Sequence, residues 1–190
     1  MISVDEERLI DLFLELCTIP GESKAEHQVA SFLSDWFEAR GYAVERDCAH
    51  VEYGGSSGNL YVRIPGTLQG PRVMLSAHMD TVVTGGAVEP IRSDGVIRSS
   101  GETILGADDR SGIAAILEVV ERLREERLDH LPLLIAITAA EEVGLLGARH
   151  ALLNSTDADF GVVLDTSGPI GRIVYCAPYY ESYTVVLQGV

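Results

Sequence analysis

Apolar residues near the N-terminus recur at helical spacing. Leu9, Ile10, Phe13, Leu16 and Cys17 share one face, and the preceding Ser3-Val4-Asp5-Glu6 has the form of a capping box, so a helix is predicted that Ile19-Pro20-Gly21 ends. Ser23-Lys24-Ala25-Glu26 repeats the device. Val29, Ala30, Leu33, Trp36 and Phe37 then line a second helix until Gly41 supplies a stop. Both helices read as scaffold, and His27 as a solvated helix residue.

From Tyr42 the period changes to that of strands, at residues 42–46, at 60–64, and in the run Val73-Met74-Leu75 that ends at Ala77-His78. Residues 54–58 read as a flexible link, and Asp94-Gly95 as a tight turn before Val96 and Ile97. After Gly106, the positions Ile113, Ile116, Leu117, Val120 and Leu123 form a helical stripe that runs up to the charged residues 124–127. A buried strand at 131–138, a further helix at 145–153 and another buried strand at 160–164 complete the pattern. Apolar strands separated by helices predict an α/β fold, a mostly parallel mixed sheet flanked by helices. Such sheets carry their sites beyond the carboxyl ends of the strands.

Composition narrows the function classes. The 190 residues are 46% hydrophobic and only 6% aromatic, enough for one core built mainly from Leu, Ile, Val and Ala. Asp and Glu total 29 against 14 Lys and Arg, a formal charge of −15 that argues against a nucleic-acid backbone or an anionic membrane as partner. Cys17, Cys48 and Cys176 are odd in number and too scattered for a disulfide framework or a metal knuckle. The acidic start lacks the form of a signal peptide, and no apolar run approaches the ~20 residues of a membrane span. A cytoplasmic protein is expected.

Four sets of metal-ligating residues follow the predicted buried strands. His78-Met79-Asp80 closes the first; imidazole is a common zinc ligand and a nearby carboxylate can orient its ring, although a histidine at a strand end is often only packed there. Gly106-Ala107-Asp108-Asp109-Arg110-Ser111-Gly112 opens the Ile113 helix. Capping needs one carboxylate and leaves the other free to bridge two cations. Ala139-Ala140-Glu141-Glu142 follows the next strand, and successive side chains of extended backbone point apart, so one Glu can bind metal while the other accepts a proton. Asp165 follows the last strand, where a turn residue is the plain alternative. Together the donors favour zinc, with cobalt or manganese as further occupants.

His78-Met79-Asp80-Thr81, Gly106-Ala107-Asp108-Asp109 and Glu141-Glu142-Val143-Gly144 resemble the signature segments of the M20 metallopeptidases, in particular the peptidase T-like branch. The resemblance implies two zinc ions bridged by Asp108, with His78 and Asp165 completing one site and Glu142 belonging to the other. It makes Asp80 the acid behind His78 and Glu141 the general base, and it implies a cis peptide between Asp108 and Asp109. The implied reaction is hydrolysis of short peptides, as by an aminopeptidase or tripeptidase. An M20-type carboxypeptidase or an N-acyl amino acid deacylase is the alternative within the family.

The same resemblance divides the chain into residues 1–178, the N-terminal part of the catalytic domain, and 179–190, the first strand of a lid and dimerisation domain. Tyr183-Thr184-Val185-Val186-Leu187-Gln188 carries that strand pattern. The remaining lid, the homodimer it forms and a last histidine ligand would lie beyond Val190, so one metal site is expected to be incomplete and hydrolysis by this chain alone to be poor. A non-catalytic metal-binding fragment is the rival reading. Gly54-Gly55-Ser56-Ser57-Gly58 formally fits the elbow of a serine hydrolase, but that motif needs a helix directly after it and here another strand follows.

Overall fold

The computed structural model describes residues 4–154, 156–176 and 183–189. Helix α1 spans Glu6–Thr18, and its cap is Asp5, whose carboxylate accepts the Arg8 amide at 3.1 Å. The expected cap Ser3 lies outside the described residues. Helix α2 spans His27–Glu38 and follows Glu26, which makes no side-chain cap bond. The second predicted capping box is therefore absent. Its two residues are used elsewhere, because Ser23 donates to Asp80 and Glu26 accepts from Lys24 and Ala140. His27 is exposed, as expected.

A five-stranded sheet carries the fold, in the order β1-β2-β6-β3-β7. Its members are β1 (Val44–Arg46), β2 (Leu60–Ile64), β3 (Val73–His78), β6 (Leu133–Thr138) and β7 (Phe160–Val163). Pairings β1–β2 and β2–β6 are antiparallel, while β6–β3 and β3–β7 are parallel. The parallel half is the one that matters for the site, since it points three strand ends the same way. One turn of helix, α3 (His50–Tyr53), follows β1, and the hairpin β4 (Pro90–Ser93) and β5 (Val96–Ser99) stands apart as a two-stranded sheet. Its turn is the predicted Asp94-Gly95, both residues at positive φ, the geometry that suits strand twist.

Helix α4 (Ala107–Glu125) packs on α1 and β3. Its stripe Ile113, Ile116, Leu117 and Val120 is fully buried with Leu16, Leu33, Phe37 and the β2 and β6 side chains. The opposite sheet face is thinner, with Tyr61, Leu134 and Ala136 packed by Met74, Leu153 and Ala158. Two expectations fail here. Strand β7 is exposed at every position, because it is an edge strand hydrogen-bonded only to β3 and little covers its faces among the described residues. The helix expected at 145–153 shrinks to the single turn α5 (Leu146–Arg149). Leu145 stands at φ +59, and at Gly147 a Cβ would collide with the Ala139 carbonyl and the Asn59 side chain, so this segment is moulded to its neighbours.

Residues 54–58 make no elbow. Gly54 ends α3 in the left-handed region and β2 follows without a helix, which removes the serine-hydrolase alternative. Residues 183–189 are exposed and form no ladder with this sheet, so the predicted strand there finds no partner among the described residues. Among the described residues no helix is long and apolar enough to cross a membrane.

Candidate metal centre

Parallel pairing sets His78, the last residue of β3, opposite Thr138, the last of β6. The chain segments that leave these two strands, and the one that leaves β7, therefore emerge side by side. His78 is 2% exposed, and its Nδ1 lies 2.9 Å from the Asp80 carbonyl oxygen and 3.4 Å from Asp80 Oδ1. With Nδ1–H donating there, Nε2 is the ring atom that faces the site. Nε2 stands 3.1 Å from Asp108 Oδ1 and 4.0 Å from Asp165 Oδ1. An imidazole nitrogen facing two carboxylates is a donor set that a shared cation satisfies.

His78 belongs to two such sets. One joins it to Asp108 and Asp165, the other to Glu141 and Glu142, and in each the offered atoms lie within 4.8 Å of one another. All five residues, four from the ends of strands and Asp108 from the start of α4, thus converge, with Asp80 directly behind the ring. Among the described residues, His27, His50, His130 and His150 join neither set.

Adjacent aspartates divide two tasks. The peptide between Asp108 and Asp109 is cis, as the resemblance implied, and both residues depart from helical φ/ψ although they lie within the bounds of α4. Asp109 turns inward and accepts the Gly112 amide at 3.2 Å and the His78 amide at 3.3 Å, a helix cap that also ties α4 to β3. Asp108 turns outward, its side chain 71% exposed, toward the histidine ring.

Asp80 is wholly buried. Burial opposes its charge, but the His78 ring, the Glu141 amide and the Ser23 hydroxyl outweigh that and hold it below the ordinary carboxylate range. Burial pulls the His78 imidazole down, and the surrounding Asp80, Asp109 and Asp165 more than reverse this, to about 9. Burial raises Glu141, Glu142 and Asp165, with neighbouring carboxylates adding to it and His78 opposing. The cluster is a concentrated negative field around one imidazole, suited to a divalent cation.

Comparison with known proteins decides the family. The profile of peptidase family M28 matches residues 59–186. The chain belongs to peptidase family M28. The M28 chain is 38% identical over 186 residues to an uncharacterized protein, YqjE, of Bacillus subtilis, a match that spans 98% of this chain and 50% of that protein. Its fold superposes on a tripeptidase from Staphylococcus aureus with a TM-score of 0.81 and 41% identity, over 87% of this chain and 44% of the other. Superposition on the aminopeptidase PepT from Bacillus cereus gives a TM-score of 0.83 at 36% identity, over 88% and 45%. The chain spans about half the length of these relatives. Its motifs thus carry a peptidase T-like pattern, and the family profile that matches them is that of M28.

Sequence reasoning missed the residues that hold the Glu141-Glu142 segment. Four consecutive amides after β6 are each taken by a buried side chain. Ala139 donates to Asn59 at 3.1 Å, Ala140 to Glu26 at 3.0 Å, and Glu141 and Glu142 to the two oxygens of Asp80 at 2.9 and 3.2 Å. Asn59 is fixed in turn by Asp47, which accepts its amide and its side-chain N–H at 2.9 and 2.7 Å. A capping-like pattern at residues 23–26 was the available signal, and it pointed to the wrong partner.

Proposed function

We propose that the chain supplies the front of the catalytic domain of a two-zinc peptidase organised like the M20, peptidase T-like enzymes, that such a peptidase hydrolyses short peptides, and that this chain alone does so poorly. Residues 1–178 belong to that domain and 179–190 open a lid. The observation that carries the reading is the gathering of His78, Asp108, Asp165, Glu141 and Glu142, from separate parts of the chain, around one point. Hydrolysis of peptide bonds rests on the likeness to a tripeptidase and to an aminopeptidase, and the mixed nitrogen and oxygen donors favour zinc.

Asp108 and Asp165 would hold one ion with His78, Glu142 would hold the other, and Asp108 would be shared between them. Ions held there supply Lewis acidity toward a carbonyl oxygen and toward water. Asp80 fixes the tautomer and direction of the His78 ring through Nδ1, which keeps Nε2 free as a ligand. Glu141 accepts the proton of the attacking water and returns it to the leaving amine. Its raised pKa, caused first by burial, moves it toward the range in which a general base works near neutrality.

Calorimetric titration with Zn²⁺, paired with a tripeptide hydrolysis assay on the intact protein, tests this. The expected result is chelator-sensitive hydrolysis, with both zinc binding and turnover lost in His78→Ala. Zinc binding unchanged in that variant, or hydrolysis indifferent to chelators, would overturn the assignment. Binding without turnover in the intact protein would leave a non-catalytic metal site instead.

A further inference from the structure

Glu26 has no exposed surface and stands at the start of α2, remote in sequence from the cluster. A carboxylate in such a place is costly unless its acceptors are used. One of its oxygens, Oε1, accepts two amides, Lys24 at 2.6 Å and Ala140 at 3.0 Å. Oε2 is buried with no hydrogen-bond partner among the described residues. Arg110, 1% exposed, provides positive charge felt by both Glu26 and Asp80.

Ala140 is the informative partner. It is fully buried at φ +50, a left-handed conformation disfavoured for a residue with a Cβ. The amide that follows belongs to Glu141, so the direction in which Glu141 and Glu142 leave β6 is set by the torsions of Ala140. The Ala140 amide is held by Glu26, its carbonyl accepts Leu146 at 2.9 Å, and the next two amides are held by Asp80. The Glu26 bond therefore acts upstream of the Asp80 bonds and fixes the one strained residue at the root of the turn.

We propose that Glu26 is a positioning residue for the Glu141-Glu142 pair, acting through the Ala140 amide. It touches neither metal nor substrate. The inference rests on the reading of Glu141 and Glu142 as site residues given above. Its consequence is that the distance from Glu141 and Glu142 to His78 depends on a helix that contributes no ligand.

The test uses the intact protein with Glu26→Gln, which keeps an acceptor oxygen, and Glu26→Met, which keeps the length and removes it. Three quantities are read: cobalt affinity from the visible spectrum, kcat and KM for a tripeptide, and amide exchange at Ala140. Carbonyl-13C and 15N alanine labelling singles out Ala140, because it follows Ala139, together with Ala115 as an internal reference. Glu26→Met is expected to lower cobalt affinity and kcat by roughly 10-fold to 100-fold. KM should stay within about twofold, and Glu26→Gln should recover most of the loss. Exchange at Ala140 should quicken in Glu26→Met by on the order of 10-fold or more relative to Ala115.

Unchanged cobalt affinity and kcat in a folded Glu26→Met would overturn the proposal, as would equal losses in both variants. If Glu26→Met fails to fold, the unaltered protein still decides: exchange at Ala140 as fast as an exposed amide means that the bond does not hold the turn. Absence of cobalt binding in the unaltered protein would instead sink the functional reading itself.

Discussion

Asp108 and Asp109 are neighbours in the chain, yet they face opposite ways: Asp109 is 2% exposed and caps α4, while the Asp108 side chain is 71% exposed and reaches His78. Burial pushes Asp109 to about 7, with His78 opposing. Replacing one should harm the fold, and replacing the other should harm the site.

Asp108→Ala is expected to leave stability within about 0.5 kcal/mol, as for an exposed side chain, and to weaken divalent-cation binding severely. Asp109→Ala is expected to cost about 1–3 kcal/mol, because the amides of Gly112 and His78 lose their buried acceptor. Urea unfolding and metal titration of the two variants separate the roles. Equal stability losses in both would contradict the division.

Glu141→Gln should retain metal and lose turnover by ~10²-fold or more, since only the proton acceptor is removed. Glu142→Gln should reverse the emphasis and lower metal affinity first. Equilibrium dialysis against Zn²⁺ alongside peptide hydrolysis in the intact protein gives both quantities. A Glu141→Gln protein as active as its parent would move the general base elsewhere.

Asp47 accepts four donors while 7% exposed: the amides of Ala49 and Asn59, the Asn59 side chain and the Tyr61 hydroxyl, at 2.7 to 3.0 Å. Asp47→Ala removes the shared acceptor of all four, of which the Asn59 side chain keeps the Gly147 carbonyl, and should destabilise the protein by about 3 kcal/mol or more. Through Asn59 it should also loosen Ala139, so residual metal binding ought to weaken in whatever fraction stays folded. A loss below ~1 kcal/mol in urea unfolding would show that water replaces the carboxylate without penalty.

Glu121 is 3% exposed, and burial opposes its charge, but Arg40 and Arg124 outweigh burial and lower its pKa from 4.5. A carboxylate with a folded pKa below its unfolded value adds stability that is complete above the unfolded pKa and is lost as pH falls through the folded one. Glu121→Gln should therefore be less stable than the parent at neutral pH, with the gap narrowing as the solution is acidified below 4.5. Thermal melts across that range check it. A gap that widens on acidification would reverse the sign.

Much of the candidate cluster was legible because its residues follow a local rule. His78, Asp108, Glu142 and Asp165 each sit just beyond an apolar run or at the start of a helix, and a parallel sheet brings such ends together. The helices α1, α2 and α4 were legible from their stripes for the same reason. What escaped were bonds between residues far apart in sequence. Ser23 and Glu26 have the spacing of a cap, but their side chains meet Asp80 and Ala140 across the fold. The apolar run at 160–163 has the pattern of a buried strand, and only the strand order reveals that it is an edge. At 145–153 helical spacing was overruled by the close approach of Gly147 to Ala139.

Because each amide from Ala139 to Glu142 is tethered to a different distant anchor or to one arm of the same carboxylate, this turn has no slack in length. An added or deleted residue would shift every later amide off its acceptor at once. The stretch from Ala139 to Glu142 should therefore accept a change of side chain far more readily than a change of length.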